Sequence, residues 1–110
     1  MEEFINALKE QNAALKKEAS ELLAQNKGDE SVFFTVRANV YDICATVLGV
    51  HWKRGDTAAG EAILNRFRRE WGEALESAQR QNNAKKICVE ETKLDALEDV
   101  ISRFNAARCE

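Results

Sequence analysis

The sequence predicts an all-α fold, an antiparallel bundle of about four long helices joined by short loops, and three observations carry that prediction. First, none of its 110 residues is proline, where average usage of about 5% would give five or six. Proline removes a backbone donor and clashes inside a helix, so a chain built of long helices excludes it. Second, apolar residues recur at steps of three, four and seven, the helical period. Third, strong punctuation is sparse. Only two of the five glycines, Gly28 and Gly55, sit in polar, turn-like surroundings, and Asn82-Asn83 supplies one more break.

The first helix is expected over residues 2–27. Met1, Leu8, Leu15 and Leu22 recur every seven residues, with Phe4, Ile5, Ala19 and Leu23 beside that line. Gly28 follows the last periodic residue and suits a left-handed C-cap. A second helix is expected over 30–52, with Asp29 and Ser31 offering capping oxygens. Its polar stripe is narrow: Thr35, Asn39, Asp42, Thr46, Gly49 and Lys53 project within roughly 80° of one another. Almost everything else on it is apolar, including Val32, Phe33, Phe34, Val36, Val40, Tyr41, Ile43, Cys44, Val47, Leu48, Val50 and Trp52. A helix apolar around most of its circumference needs cover on several sides, so this is the central helix of the bundle.

Lys53-Arg54-Gly55-Asp56 is the next turn, with Asp56 or Thr57 as the N-cap of a third helix over 57–81. Ile63, Leu64, Phe67, Trp71, Ala74, Leu75 and Ala78 form its apolar side. Gly49 and Gly60 flank the turn at similar distances, where two closely crossing helices would want small residues. After Asn82-Asn83, Ile87, Leu94, Leu97, Ile101 and Phe104 keep helical spacing, which predicts a fourth helix over 84–107. The stretch Lys86-Ile87-Cys88-Val89 is β-branched enough to be extended. In that case the helix would begin near Thr92, which with Asp95 resembles a capping box. The single helix is the preferred reading. No repeat or low-complexity linker divides the chain, so residues 1–110 are expected to form one domain.

Composition narrows the function classes. Hydrophobic residues at 45% and charged residues at 32% suit a chain that folds and stays in solution. The net charge is −3 with both signs interspersed, so no basic block marks a phosphate-binding surface. Lys53, Arg54, Arg66, Arg68, Arg69 and Arg80 are interleaved with acidic residues, so a solvated mixed-charge face is the preferred reading and a nucleic-acid-binding regulator ranks third. The N-terminal residues lack the pattern of a signal peptide and no run of 18 apolar residues occurs, so no membrane partner is expected. Cys44, Cys88 and Cys109 form an odd, widely spaced set. They read as reduced thiols, and the expected location is cytoplasmic.

Catalytic and metal signatures are weak. A di-iron bundle needs a Glu-x-x-His motif, and the one histidine, His51, has Leu48 three residues before it. No two cysteines are spaced as a local zinc chelate. Cys44 and His51 stand about 10 Å apart along a helix axis, too far to act as nucleophile and base. The segment Gly55–Gly60 lacks the Lys-Ser/Thr of a phosphate loop. Arg54-Gly55-Asp56 matches an integrin-recognition tripeptide, but the helix–turn reading accounts for all three residues. Neither metal nor other cofactor is expected.

One line is less readily dismissed. Arg37, Tyr41, Cys44, Leu48 and His51 follow at steps of four, three, four and three, inside the broad apolar arc of the second helix. Arg37, Tyr41 and His51 are therefore candidate ligand-binding residues for a small anionic molecule, in a bundle that would be ligand-binding or catalytic. The alternative is that Arg37 and His51 reach outward from opposite ends while Tyr41 is satisfied locally. The preferred expectation is a non-enzymatic interaction or regulatory module, either a homodimer or the companion of another helical protein. Phe33, Phe34 and Trp52 are its candidate interface anchors.

Overall fold

In a computed structural model, which describes residues 1–108, the chain folds as four helices: α1 (Glu2–Ala24), α2 (Gly28–Lys53), α3 (Thr57–Arg80) and α4 (Ala84–Arg108). Cys109 lies outside the described residues. Lys86–Val89 is helical, so the fourth element is a single helix from its first residue.

The three connections share one device. Each of the first three helices ends in a Schellman turn, in which the residue after the C-cap takes a left-handed conformation. Those residues are Asn26 (φ 62°), Gly55 (φ 70°) and Asn82 (φ 51°). The next backbone N–H in each case reaches back to the fifth carbonyl before it: Lys27 to Leu22 at 2.9 Å, Asp56 to His51 at 2.9 Å, Asn83 to Ala78 at 3.2 Å. That same residue is the N-cap of the following helix. Asp56 Oδ1 accepts from the Ala59 N–H at 2.9 Å and Asn83 Oδ1 from the Lys86 N–H at 3.2 Å. Such tight reversals leave consecutive helices antiparallel.

This corrects two expectations at the first turn. Gly28 does not cap α1 but opens α2, and Asn26 supplies the left-handed residue, because its short amide tolerates that region. Ser31 does not cap α2 either. It is buried, and its Oγ donates to the Ala19 carbonyl of α1 at 2.9 Å, one helix binding the backbone of the other.

The helices bury Phe4, Ile5, Leu8 and Leu15 of α1, Val40, Tyr41, Cys44, Ala45 and Leu48 of α2, Leu64 of α3, and Leu97, Val100, Ile101 and Phe104 of α4 in one core. α2 touches all three other helices, while α1 and α3 lie apart. Two small residues, Ala38 and Ala45, are almost fully buried on α2, and the Asn12 amide of α1 donates to the Ala38 carbonyl at 2.7 Å. α3 is held less deeply. Its Phe67 and Trp71 rings stack 5.1 Å apart with the Lys93 ammonium 4.8 Å from the Trp71 ring. Arg68–Glu98 and Arg108–Glu61 ion pairs, both at 2.7 Å, tie it to α4. Being solvent-exposed, such pairs contribute little to stability. Glu90 sits on the buried side of α4, 3.3 Å from Lys93, a carboxylate that hydrophobic periodicity assigned no place.

Of the two glycines expected at a close helix crossing, only Gly60 is there. A Cβ on it would lie 3.1 Å from Leu48 Cδ2, whereas one on Gly49 would meet nothing within 4 Å. Gly60→Val is therefore expected to destabilise by about 1–3 kcal/mol through overpacking. Gly49→Ala is expected to stabilise by up to about 1 kcal/mol through helix propensity. Urea melts of the two variants check both signs.

Candidate interaction surface

The bundle is flattened. Its principal extents are 43 × 34 × 19 Å and its radius of gyration is 14.9 Å, against about 13 Å for a compact chain of this length. A flattened bundle cannot surround its most apolar helix, and α2 shows the result. One arc of its circumference is sealed by the other helices, through Ala38, Tyr41, Cys44, Ala45 and Leu48. Outside that arc Val32 (42%), Ile43 (42%) and Val50 (45%) are exposed, and Val36 and Val47 are half-buried. At about 100° per residue these five fall within roughly 60° of one another, so they form a single aliphatic stripe along α2. Asn39 is exposed beside its middle.

The residues expected to bind a ligand do not converge. Arg37 is exposed on the N-terminal half of α2, one turn before Tyr41, and makes no ion pair among the described residues. His51 is half-buried about 21 Å away along the axis, in a narrow cleft with Met1, Leu48, Trp52, Gly60 and Phe104. Tyr41 lies buried between them, and its hydroxyl donates to Asp99 Oδ2 on α4 at 2.5 Å, an oxygen that Arg103 Nε also approaches at 2.9 Å. Burial, then the hydrogen bond to Asp99 and the negative charge beside it, push the Tyr41 hydroxyl up to about 12. Its partner is thus a second helix rather than its own neighbourhood. The Cys44 thiol next to it is likewise pushed up to about 12, by burial. At neutral pH both groups are protonated, and they serve as core.

The three aromatic anchors are distributed rather than clustered. Phe33 (38%) is exposed on the flank of the stripe; Trp52 (43%) is exposed at the other end of α2. Phe34, about 100° around the helix from Phe33, is half-buried and packs against the core. Periodicity had placed Val32, Val36, Ile43, Val47 and Val50 among residues needing cover. The signal that could have singled them out is their common β-branched aliphatic character at steps of four, seven, four and three. Among the described residues, no three or more His, Cys, Asp or Glu side chains are grouped to hold a metal ion.

α2 has a second property that a search for unbroken apolar runs misses. Its mean hydropathy reaches 1.2 over an 18-residue window, so by length and composition alone it is long and apolar enough to cross a bilayer. The core helix of a bundle meets the same description, and a third of that window is buried against the protein. Compared with known proteins, the chain matches no family model, no curated protein and no solved structure.

Proposed function

We propose that this chain is a helical interaction module that pairs with a second copy of itself, acting through contacts between helices rather than through chemistry of its own. The observation that supports this reading is surplus surface. The accessible area is 6904 Å², where a compact monomer of 12.4 kDa exposes about 6,100 Å². The surplus, about 800 Å², matches the area one partner contributes to a standard protein–protein interface. The exposed surface includes a contiguous aliphatic stripe on α2, where burial removes apolar atoms from water at about 25 cal/mol per Å². A cytoplasmic, reducing setting accords with the free thiols, since Cys44 is sealed in the core and Cys88 is exposed.

The test is solution mass by light scattering behind a sizing column, over a hundredfold range of concentration. A mass approaching about 25 kDa, twice the 12.4 kDa of the chain, is expected at the upper end. Ile43→Asp places a charge in the middle of the stripe and is expected to return the mass to that of one chain. Its melting curve should stay close to the parent's at monomeric concentrations, because Ile43 is 42% exposed in the single chain. A parent that stays monomeric throughout overturns the proposal.

A further inference from the structure

The stripe also carries information about how two copies would meet. Its members stand at positions 32, 36, 43, 47 and 50, with Asn39 beside them. Read from either end, the spacing about position 41 is nearly the same. Val32 and Val50 are equidistant from it, as are Asn39 and Ile43, and Val36 and Val47 are within one residue of being so. A surface that matches its own reversal is what a twofold axis requires of an isologous contact.

We infer that the chain dimerises by laying α2 antiparallel against α2 of a second copy, about a twofold axis level with Tyr41. This rests on the self-association proposed above and specifies its geometry. In that arrangement Val32 meets Val50 of the partner subunit, Val36 meets Val47 of the partner subunit, and the outer pairs repeat by symmetry. The seam runs from 32 to 50, about 27 Å.

Charge selects the antiparallel direction over the parallel one. The first turn of α2 carries Asp29 and Glu30, and its last turn carries His51 and Lys53. Antiparallel pairing brings the acidic end of each helix beside the basic end of the other and opposes the two helix dipoles favourably. Parallel pairing would place like ends together. Asn39, beside Ile43 of the partner subunit, puts one polar residue on each half of the seam.

Distances between spin labels test the geometry apart from the association. The background is Cys88→Ser with Cys109→Ser, leaving Cys44, which is fully buried, unlabelled. A label at Asp42→Cys sits close to the axis, and two copies should read less than about 20 Å apart. A label at Lys53→Cys sits twelve residues from the axis, and two copies should read about 36 Å or more. Short distances at both positions would mean parallel helices, and a long distance at 42 would mean another surface. With a dimeric mass, either result overturns this geometry and leaves self-association standing. A monomeric mass with no inter-copy distance at either position overturns both. The stripe would then fall to a foreign helix or a bilayer, and vesicle co-sedimentation of the same labelled chains tells those two apart.

Discussion

Leu97→Ala is expected to cost about 2–5 kcal/mol of stability and to lower Tm by something on the order of 10–25 °C. Leu97 is fully buried on the face of α4 that also carries Val100, Ile101 and Phe104, and it belongs to the same core as Tyr41, Cys44 and Leu48 of α2. The loss has two parts, the transfer of the removed atoms and the cavity left behind. α2–α4 is the most extensive contact between the α1–α2 and α3–α4 hairpins, so a void there weakens what joins them. Total stability for a domain of this size is about 5–15 kcal/mol, so the variant sits near the edge of folding. Leu23→Ala is the control: Leu23 is 64% exposed, and its loss should stay within about 0.5 kcal/mol. Equal effects from the two substitutions, in reversible urea melts, would show that the α2–α4 contact is not the core.

Alkaline pH is expected to unfold this protein from its centre. Two neighbouring groups on α2 prefer their neutral forms when folded. Cys44 rises from 9.0 to about 12 through burial. Tyr41 rises from 10.0 to about 12 through burial first and its hydrogen bond to Asp99 second. For an acid whose folded pKa exceeds its unfolded one, the folded state holds the proton longer and stability falls as pH rises between the two values. The contribution of Cys44 is thus complete below about pH 9 and is lost toward pH 12, and that of Tyr41 is complete below about pH 10 and lost over the same upper range. Unfolding free energies from pH 7 to 11, compared among the parent, Cys44→Ala and Tyr41→Phe, separate the two. The parent should lose stability above pH 9 faster than Cys44→Ala and above pH 10 faster than Tyr41→Phe. Parallel curves for all three chains would show that neither group is as sheltered as its position requires.

What the sequence determined by itself about this protein is local. Helix number, type and approximate extent follow from absent proline and from apolar steps of three, four and seven, because a helix is set by contacts three and four residues apart. The positions of the turns follow from Gly55 and Asn82-Asn83 for the same reason, and Asp56 announces itself as a cap. At the first turn the sequence pointed to Gly28 for the left-handed position, and the chain uses Asn26 instead.

The tertiary structure alone decided which apolar residues find cover. Gly49 and Gly60 look equivalent in sequence, and only Gly60 meets another helix. Ser31 reads as a cap and instead bonds the backbone of α1. Tyr41 and Asp99 are 58 residues apart and share a hydrogen bond across two helices. The apolar arc of α2 announced a helix needing cover on several sides, and α2 does touch all three others, a position it shares with α4. The stripe from Val32 to Val50 nevertheless stays open, because a bundle 19 Å thick has too few helices to close around it. Periodicity states what a residue needs; which neighbours are near enough to supply it depends on how helices distant in the chain cross.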